Sequence, residues 1–509
     1  MSPERDRPSA STSGRRPHGA KKLVLAVIDS LKPEMLDRAI AEGRAPALQT
    51  LVERGVYIDD CVSVYPSVTP VASATITTGT TPDAHHIPAM NWFLRGEQRY
   101  VEYGSSFPAT RAFGVVRSLF DTVYNMNLAH LSRATPTVFE RLDDAGFRTA
   151  CTTYLIYRGR HRHVPANTSV LSRLGQAMQF RHAVYGPTEL FYADLFESRP
   201  TGCTSALGMP GQRDQHTGCV GAHMVENDLF DFMLFSLPDN DTYSHKRGPY
   251  AQVTSIADAD KALERLFHVA GGADAFLDEH AVIVMSDHSQ TAVEDRINLS
   301  ELLSDWRVLT PSGDPASSEV AACPSARSAQ VYVLDPAKRE AELPKLADTV
   351  AAADGVDFVA WRHGGEGVVR PGASYAGEGI GELRFSPGGD LRDLRGGSWA
   401  IEGDARALEL DTGDGRLTSV TYPNPLERLW SALSCPTSGD LLVSAAPGYE
   451  FVDWGGVDHV GGGSHGSLHR GDSLGTLIFC GTGPDSRDAR EQWTIADAAP
   501  EIARHFALP

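Results

Sequence analysis

Hydrophobic residues along this chain fall into two patterns: short unbroken aliphatic runs, and longer stretches with apolar positions three and four apart. The first run, KKLVLAVIDS, is aliphatic and β-branched and ends at Asp29. It predicts a strand buried on both faces of a parallel sheet, with the carboxylate at its C-terminal tip. A helical stretch follows, KPEMLDRAIAEGRAPALQTLVERG, interrupted between Gly43 and Pro46. The alternation then recurs through helix PTVFERLDDAG, strand FRTACTTYLI, strand DFMLFSLPD, helix SIADADKALERLFHVAGG and strand HAVIVMSDH. Strands and helices in this order predict an α/β fold, a mostly parallel sheet with helices on both faces. Ligands in such sheets bind beyond the carboxyl ends of the strands.

From residue 301 to about 440 the pattern changes. AQVYVLD, an Ala/Glu/Lys-rich helix and GVDFVAWRHGG are followed by short strands between the Gly/Asp turns SPGGD, EGDAR and DTGDG. This segment reads as an inserted α+β subdomain. Core-like elements return in GDLLVSAA, GTLIFCG and IADAAPEIARHFAL. The expected organisation is a tail at 1–20, a first core part at 21–300, the insertion at 301–440 and a closing core part at 441–509.

Composition narrows this picture. At 509 residues, 41% apolar and 22% charged, the body is expected to fold. The Pro/Ser/Arg-rich first twenty residues contain no apolar core of a secretion signal and read as a disordered tail. No apolar run is long enough for a membrane span, and a cytoplasmic location is expected. The formal charge of -19 argues against polymeric nucleic acid and leaves small anions, met locally by metal or Arg, as ligands. Seven scattered cysteines without C-x-x-C spacing predict reduced thiols, and neither a disulfide framework nor a thiolate zinc site.

One segment stands apart. YPSVTPVASATITTGTTPDAHHI, residues 65–87, carries eight Ser and Thr residues and two adjacent histidines with almost no formal charge. Elsewhere, acid or imidazole groups follow four predicted strands or Gly-rich turns: Asp29 after the first strand, Asp241 and His245 in LPDNDTYSHKRGP, Asp287 and His288 in VIVMSDHSQ, and His465 in GGGSHGSLHRGDSL. Taken singly, an acid at a strand end reads equally as a helix cap or turn residue. Together, three carboxylates and three imidazoles fall where one sheet edge would gather them. Mixed N/O donors of this kind suit Zn²⁺ or Mn²⁺, and six of them divide into two metal sites able to clamp a phosphoryl displacement.

With these residues in view, the chain resembles the alkaline phosphatase superfamily, and within it the type I phosphodiesterase/nucleotide pyrophosphatase branch, over residues 21 to about 300 and 440 to 509. The resemblance implies an alkaline-phosphatase-like core and places the family's threonine nucleophile, in YPSVT ahead of GTTPDAHH, on Thr69. By the same likeness Ser73, Thr75, Thr77 and Thr78 pack or cap along the following helix. Asp241, His245, Gly248 and Pro249 match D-x-x-x-H-x-x-G-P, Asp287 and His288 match the SDH element, and Gly463, His465 and Gly466 match G-x-H-G. The implied partition gives one metal Asp241, His245 and His465, and the other Asp29, Thr69, Asp287 and His288. Zn²⁺ is expected first and Mn²⁺ second. Asn91 matches the family's asparagine that hydrogen-bonds a phosphoryl oxygen; read by itself, it is a turn residue before an aromatic strand.

The implied activity is hydrolysis of phosphodiester or pyrophosphate bonds of a small phosphorylated substrate through a phosphothreonine intermediate. The alternatives are a phosphomonoesterase or phosphonate hydrolase on the same core, or a non-catalytic binding protein. A sulfatase does not fit, because no C/S-x-P-x-R element surrounds Thr69. Departures from the family pattern bear on substrate: Pro70 replaces the aromatic that stacks on a nucleotide base, while His86, Ser244 and Ser289 replace glycines. The basic cluster YRGRHRH, Tyr157 to His163, reads either as a second phosphate site through Arg158, Arg160 or Arg162, or as a solvated loop paired with acids. Trp92, Phe93, Tyr103, Tyr154 and Tyr157 read either as pocket lining or as core.

Overall fold

The computed structural model describes residues 20–165, 180–205, 208–373 and 379–508, so all of the predicted tail except Ala20 lies outside the described residues. Its central sheet is built from β1 (Lys22–Ile28), β2 (Val56–Val62), β3 (Thr149–Cys151), β4 (Glu189–Tyr192), β5 (Phe196–Glu197), β6 (Phe232–Leu237), β7 (His280–Met285) and β8 (Leu474–Cys480). The strand order is β2-β8-β7-β1-β6-β3-β4-β5. Neighbours from β7 through β4 run parallel, and β8 lies antiparallel between β2 and β7. The sheet is parallel where the sequence pattern demanded it, and antiparallel toward both edges.

Alternation of side chains explains why the runs look uniformly apolar. In β1, Leu23, Leu25 and Val27 enter one core and Val24, Ala26 and Ile28 the other. β6 and β7 divide their residues in the same way. A strand with helices on both sides has no polar face to show. The first face is covered by α3 (Thr69–Thr78) and the C-terminal helix Ala498–His505. The second is covered by α1 (Pro33–Ala41), α2 (Pro46–Arg54), α4 (Arg213–Glu226) and α6 (Val253–Val269). The break predicted near Gly43 to Pro46 separates α1 from α2.

The second sheet is antiparallel, in the order Val320–Ser325, Ser328–Val333, Leu441–Ala445, Val356–His363, Glu366–Pro371, Leu383–Arg392 and Ser398–Gly403. Leu441–Ala445, read from sequence with the closing core part, instead lies inside this sheet. Its residues are apolar on both sides because Leu441 and Val443 pack with helix Arg339–Ala351 while Leu442 packs with helix Pro425–Ser434. Core strands and insertion strands of this kind share one sequence pattern.

The expectation that all thiols are reduced is also corrected. Cys203 and Cys219 form a disulfide, with Cα atoms 5.9 Å apart, while Cys61, Cys151, Cys323, Cys435 and Cys480 are free and buried. A sequence separation of 16 gives no recognisable motif; the return of α4 past the loop after β5 creates the pair.

Candidate active site

Three adjacent parallel strands deliver the carboxylates. Asp29 follows β1, Asp287 stands two residues beyond β7, and α5 (Asp239–Arg247), which starts after β6, carries Asp241 and His245 one turn apart. The fourth contribution arrives with the C-terminal part of the chain. Gly463–Ser464 pairs antiparallel with Thr291–Ala292, just past His288, and so brings His465 to the same edge. Glycine is needed here for closeness: a Cβ on Gly462 would lie 2.0 Å from the His245 carbonyl oxygen. Replacing Gly462 with alanine is therefore expected to displace His245 and lower kcat/KM by about tenfold or more, read by steady-state kinetics beside metal content.

The nucleophile candidate is selected by exposure. From Cys61 to Thr78, Thr69 is the single residue that is not buried. It begins α3, where no side chain caps the helix and the dipole favours negative charge. Its Oγ1 lies 3.3 Å from His288 Nε2. Three of the other hydroxyls are held by hydrogen bonds: Thr77 and Thr78 donate to the carbonyls of Ser73 and Ala74, at 2.8 and 2.6 Å, and Thr75 pairs with His85 at 3.1 Å. Gly79 closes the helix at φ 69°, and His86 adopts φ 68° where the resembled family has glycine.

The three imidazoles share one orientation rule. His245 Nδ1 meets the Gly463 carbonyl at 2.8 Å, His465 Nδ1 that of Ser67 at 2.9 Å, and His288 Nδ1 that of Ser289 at 3.2 Å. A carbonyl can only accept, so each Nδ1 donates, and in the neutral ring Nε2 is the lone-pair donor. Those Nε2 atoms converge on the acids: His245 and His465 lie 3.4 and 3.6 Å from Asp241, and His288 lies 3.4 Å from Asp287 and 3.8 Å from Asp29.

Two groups of mutually close donor atoms result, Asp241/His288/His465 and Asp29/Asp287/His288. His288 belongs to both, whereas the sequence-based partition gave it to the Asp29 group alone; its position between the two acid clusters makes it common to them. His245, which the sequence-based partition placed with Asp241 and His465, falls outside both groups and stands 3.4 Å from Asp241. The Asp29 Oδ1 atom is buried without a hydrogen-bond partner, an expensive arrangement that a cation would relieve. Burial, and then the neighbouring Asp287 and Asp241, push the Asp29 carboxyl well above its usual range, and burial pushes Asp287 up to about 6. Burial lowers His288 to about 4, and burial with the facing His288 lowers His465 to about 3, so both rings are neutral, as metal ligands must be. Burial acts to raise Asp241 as well, but His245, His465 and His288 beside it outweigh that and hold it well below the usual carboxylate range. The donor set fits divalent cations.

Several supporting residues carried no signal in the sequence beyond standing next to a ligand. Ser30 Oγ and Gln290 Nε2 donate to Asp241 Oδ1 at 2.8 and 2.6 Å, the Ser30 backbone N–H donates to Asp287 at 3.1 Å, and Asn240 Nδ2 holds the Asp29 carbonyl at 2.8 Å. His459 stacks on His245 with ring centroids 4.1 Å apart and meets the buried Glu450 carboxylate at 3.1 Å. The insertion reaches the site too: the Arg327 N–H donates to the His465 carbonyl at 2.7 Å, and the Arg327 side chain forms a buried ion pair with Asp472.

A cavity of 720 Å³ opens over Thr69, within the range that holds small molecules. Tyr103 and Tyr154 line it; Trp92, Phe93 and Tyr157 do not and are core residues. Asn91 is buried and outside the lining. Its amide donates to the Val101 carbonyl and the Glu102 carboxylate, at 3.1 and 3.0 Å, so the hairpin that carries Asn91 consumes the donors that the resemblance assigned to a phosphoryl oxygen. The basic cluster is likewise engaged elsewhere. Arg158 bonds Glu140 and the carbonyls of Leu131, Ser132 and Thr135, and Arg160 bonds Asp144 and Glu140, so the paired-loop reading holds for both. The cations on the cavity wall are instead Arg213 and Lys246.

A family model described as type I phosphodiesterase / nucleotide pyrophosphatase matches residues 23–468. No curated protein sequence matches the chain. Among solved structures, murine ectonucleotide pyrophosphatase / phosphodiesterase 5 is similar at 12% identity, with 96% of each chain covered and a TM-score of 0.56. Phosphonoacetate hydrolase from Sinorhizobium meliloti 1021, in complex with phosphonoformate, is similar at 17% identity, with 98% of each chain covered and a TM-score of 0.53. At these identities the structural likenesses establish the shared fold.

Proposed function

This chain belongs to the type I phosphodiesterase / nucleotide pyrophosphatase family, a family of hydrolases, and we propose that it cleaves phosphodiester, pyrophosphate or phosphonate bonds of small molecules with Thr69 as nucleophile. Asp29, Asp241, His245, Asp287, His288 and His465 would hold two divalent cations, Zn²⁺ by preference from the mixed donor set and Mn²⁺ as the alternative. The observation that carries the reading is the position of Thr69 Oγ1, the accessible hydroxyl of its stretch, 3.3 Å from the histidine shared by both donor groups.

Bound cations would supply charge neutralisation at the phosphoryl oxygens and favour the alkoxide of the nucleophile. The chain's own part is positional. Ser67, whose hydroxyl donates to the Ser467 carbonyl at 2.8 Å and whose own carbonyl holds His465, fastens the loop before Thr69 to the loop carrying a ligand. Thr69 Oγ then attacks phosphorus in line, the Thr–O–P bond forms as the bond to the leaving group breaks, and water hydrolyses the phosphothreonine to restore the hydroxyl. The start of α3 stabilises the oxyanion before attack and after release. The Cys203–Cys219 bridge favours an oxidising compartment over the cytoplasmic location expected from the sequence.

The test is hydrolysis of bis-p-nitrophenyl phosphate against p-nitrophenyl phosphate by zinc-reconstituted protein. Faster turnover of the diester is expected, with loss of at least about 100-fold on chelation and recovery on adding Zn²⁺. A strong monoester preference transfers the proposal to a phosphomonoesterase, and turnover of neither ester transfers it to a binding protein.

A further inference from the structure

We propose that the cavity wall formed by Arg213, Thr242 and Lys246 is a subsite for a second anionic group, phosphate or carboxylate, carried by the substrate beside the bond that is cleaved. This deepens the hydrolase reading above and rests on it for the identity of the reacting group. The first observation concerns charge. The acids lining the cavity are Asp29, Asp241 and Asp287, all of them committed to the donor groups, while Arg213 and Lys246 also face it. Arg213 is held by an ion pair with Asp239 at 2.8 Å, so the uncompensated positive charge on this wall is that of Lys246.

Geometry supplies the second observation. On α5, Asp241, Thr242, His245 and Lys246 occupy positions i, i+1, i+4 and i+5, so one helix face presents two metal-ligand candidates and a lysine to the same space. Arg213, at the start of α4, is fixed against that helix: its Nε donates to Asp239 Oδ1 at 2.8 Å and its Nη2 to Thr242 Oγ1 at 2.5 Å. Asp239 is held in turn by the backbone N–H groups of Gly211 and Asp214, at 2.9 and 3.1 Å. The guanidinium is thus oriented through two of its nitrogens, leaving Nη1 without a protein partner among the described residues. Lys246 is exposed, lines the same cavity and has no acidic partner among the described residues. A rigid guanidinium beside a mobile ammonium suits an oxygen-rich anion.

The third observation is the rest of the lining. Tyr103, Phe107, Tyr154 and Tyr192 supply its aromatic surface, so discrimination between substrates by their anionic groups falls to the Arg213 and Lys246 wall. A pyrophosphate linkage carries a second phosphoryl group and a carboxylated phosphonate carries a carboxylate; a simple phosphate diester has neither.

Calorimetric titration of zinc-loaded protein with methyl diphosphate, phosphonoacetate and methylphosphonate reads binding without turnover, with zinc content checked after each run. At least one of the first two is expected to bind about tenfold tighter or more than methylphosphonate. Methyl diphosphate in front identifies a phosphate as the second group, and phosphonoacetate in front identifies a carboxylate. Lys246→Gln, a change at an exposed position, is expected to shrink the advantage to about twofold, while Arg247→Gln, on the neighbour outside the lining, keeps it. Equal binding of all three probes, binding of none, or an advantage that survives Lys246→Gln overturns the subsite. Hydrolysis of bis-p-nitrophenyl phosphate is scored separately: if it is absent while the anion preference is present, the hydrolytic reading falls and the subsite stands.

Discussion

Thr69→Ala is expected to lower kcat for phosphodiester hydrolysis by at least about 10³-fold, the scale of loss when an enzymatic nucleophile is removed. The side chain is partly exposed and its one hydroxyl contact is with His288 Nε2 at 3.3 Å, so the change removes chemistry without opening a cavity in the core. Thr69→Ser keeps an oxygen at the same backbone position and is expected to retain far more activity than the alanine variant. The difference between them separates nucleophilic loss from a disturbed helix start. Rapid mixing should show a burst of leaving group in the wild type if breakdown of the phosphothreonine limits turnover, and none in Thr69→Ala. An alanine variant with more than a tenth of wild-type kcat would falsify the assignment of the nucleophile.

Asp241→Asn should be nearly as damaging, by a different route. Asp241 stands among His245 at 3.4 Å, His465 at 3.6 Å, Ser30 Oγ at 2.8 Å and Gln290 Nε2 at 2.6 Å. The asparagine amide removes the negative charge from this centre and turns one oxygen into a donor facing lone pairs. Loss of one bound cation per chain is expected, with kcat/KM down by about 10³-fold or more and the fold retained. Metal analysis beside the kinetics checks this, and full metal content with full activity in Asp241→Asn would remove the cation site from the account. Asp241→Glu keeps the charge but moves it along the helix face, so recovery of metal without recovery of rate would show that placement matters as well as charge.

Much of the core was legible from local pattern. LVLAVI, FMLF and AVIVM are apolar at every position because helices cover both sides of the sheet, and residues divided between two cores leave a recognisable run in the sequence. Each run ends at or near a candidate donor acid, which is why Asp29, Asp241 and Asp287 could be singled out one by one. Leu441–Ala445 was not legible in the same way. It is as apolar as β1, yet its hydrogen-bond partners are Ser328–Val331 and Val356–Trp361, and nothing within five residues can say which sheet a buried strand will join.

Within the site, residue types announced the candidate donors while their surroundings decided what the others touch. Asn91 carries the motif's asparagine, but its donors are consumed by Val101 and Glu102 across a hairpin ten and eleven residues away. Arg158 and Arg160 form the densest basic cluster in the chain and are neutralised by Glu140 and Asp144. Arg213 and Lys246 look unremarkable in sequence; they matter because α4 and α5 bring them to one wall.

The sequence by itself determined the strands, the hydroxyl-rich helix and the six candidate donor side chains, because each depends on spacing within one element or on the chemistry of a single residue. The tertiary structure alone decided that His288 would belong to both donor groups, that Cys203 would meet Cys219, and which basic side chains would line the cavity. Those outcomes rest on the distance between segments far apart in the chain, and distance is set by how the sheets and helices pack, which no local pattern encodes.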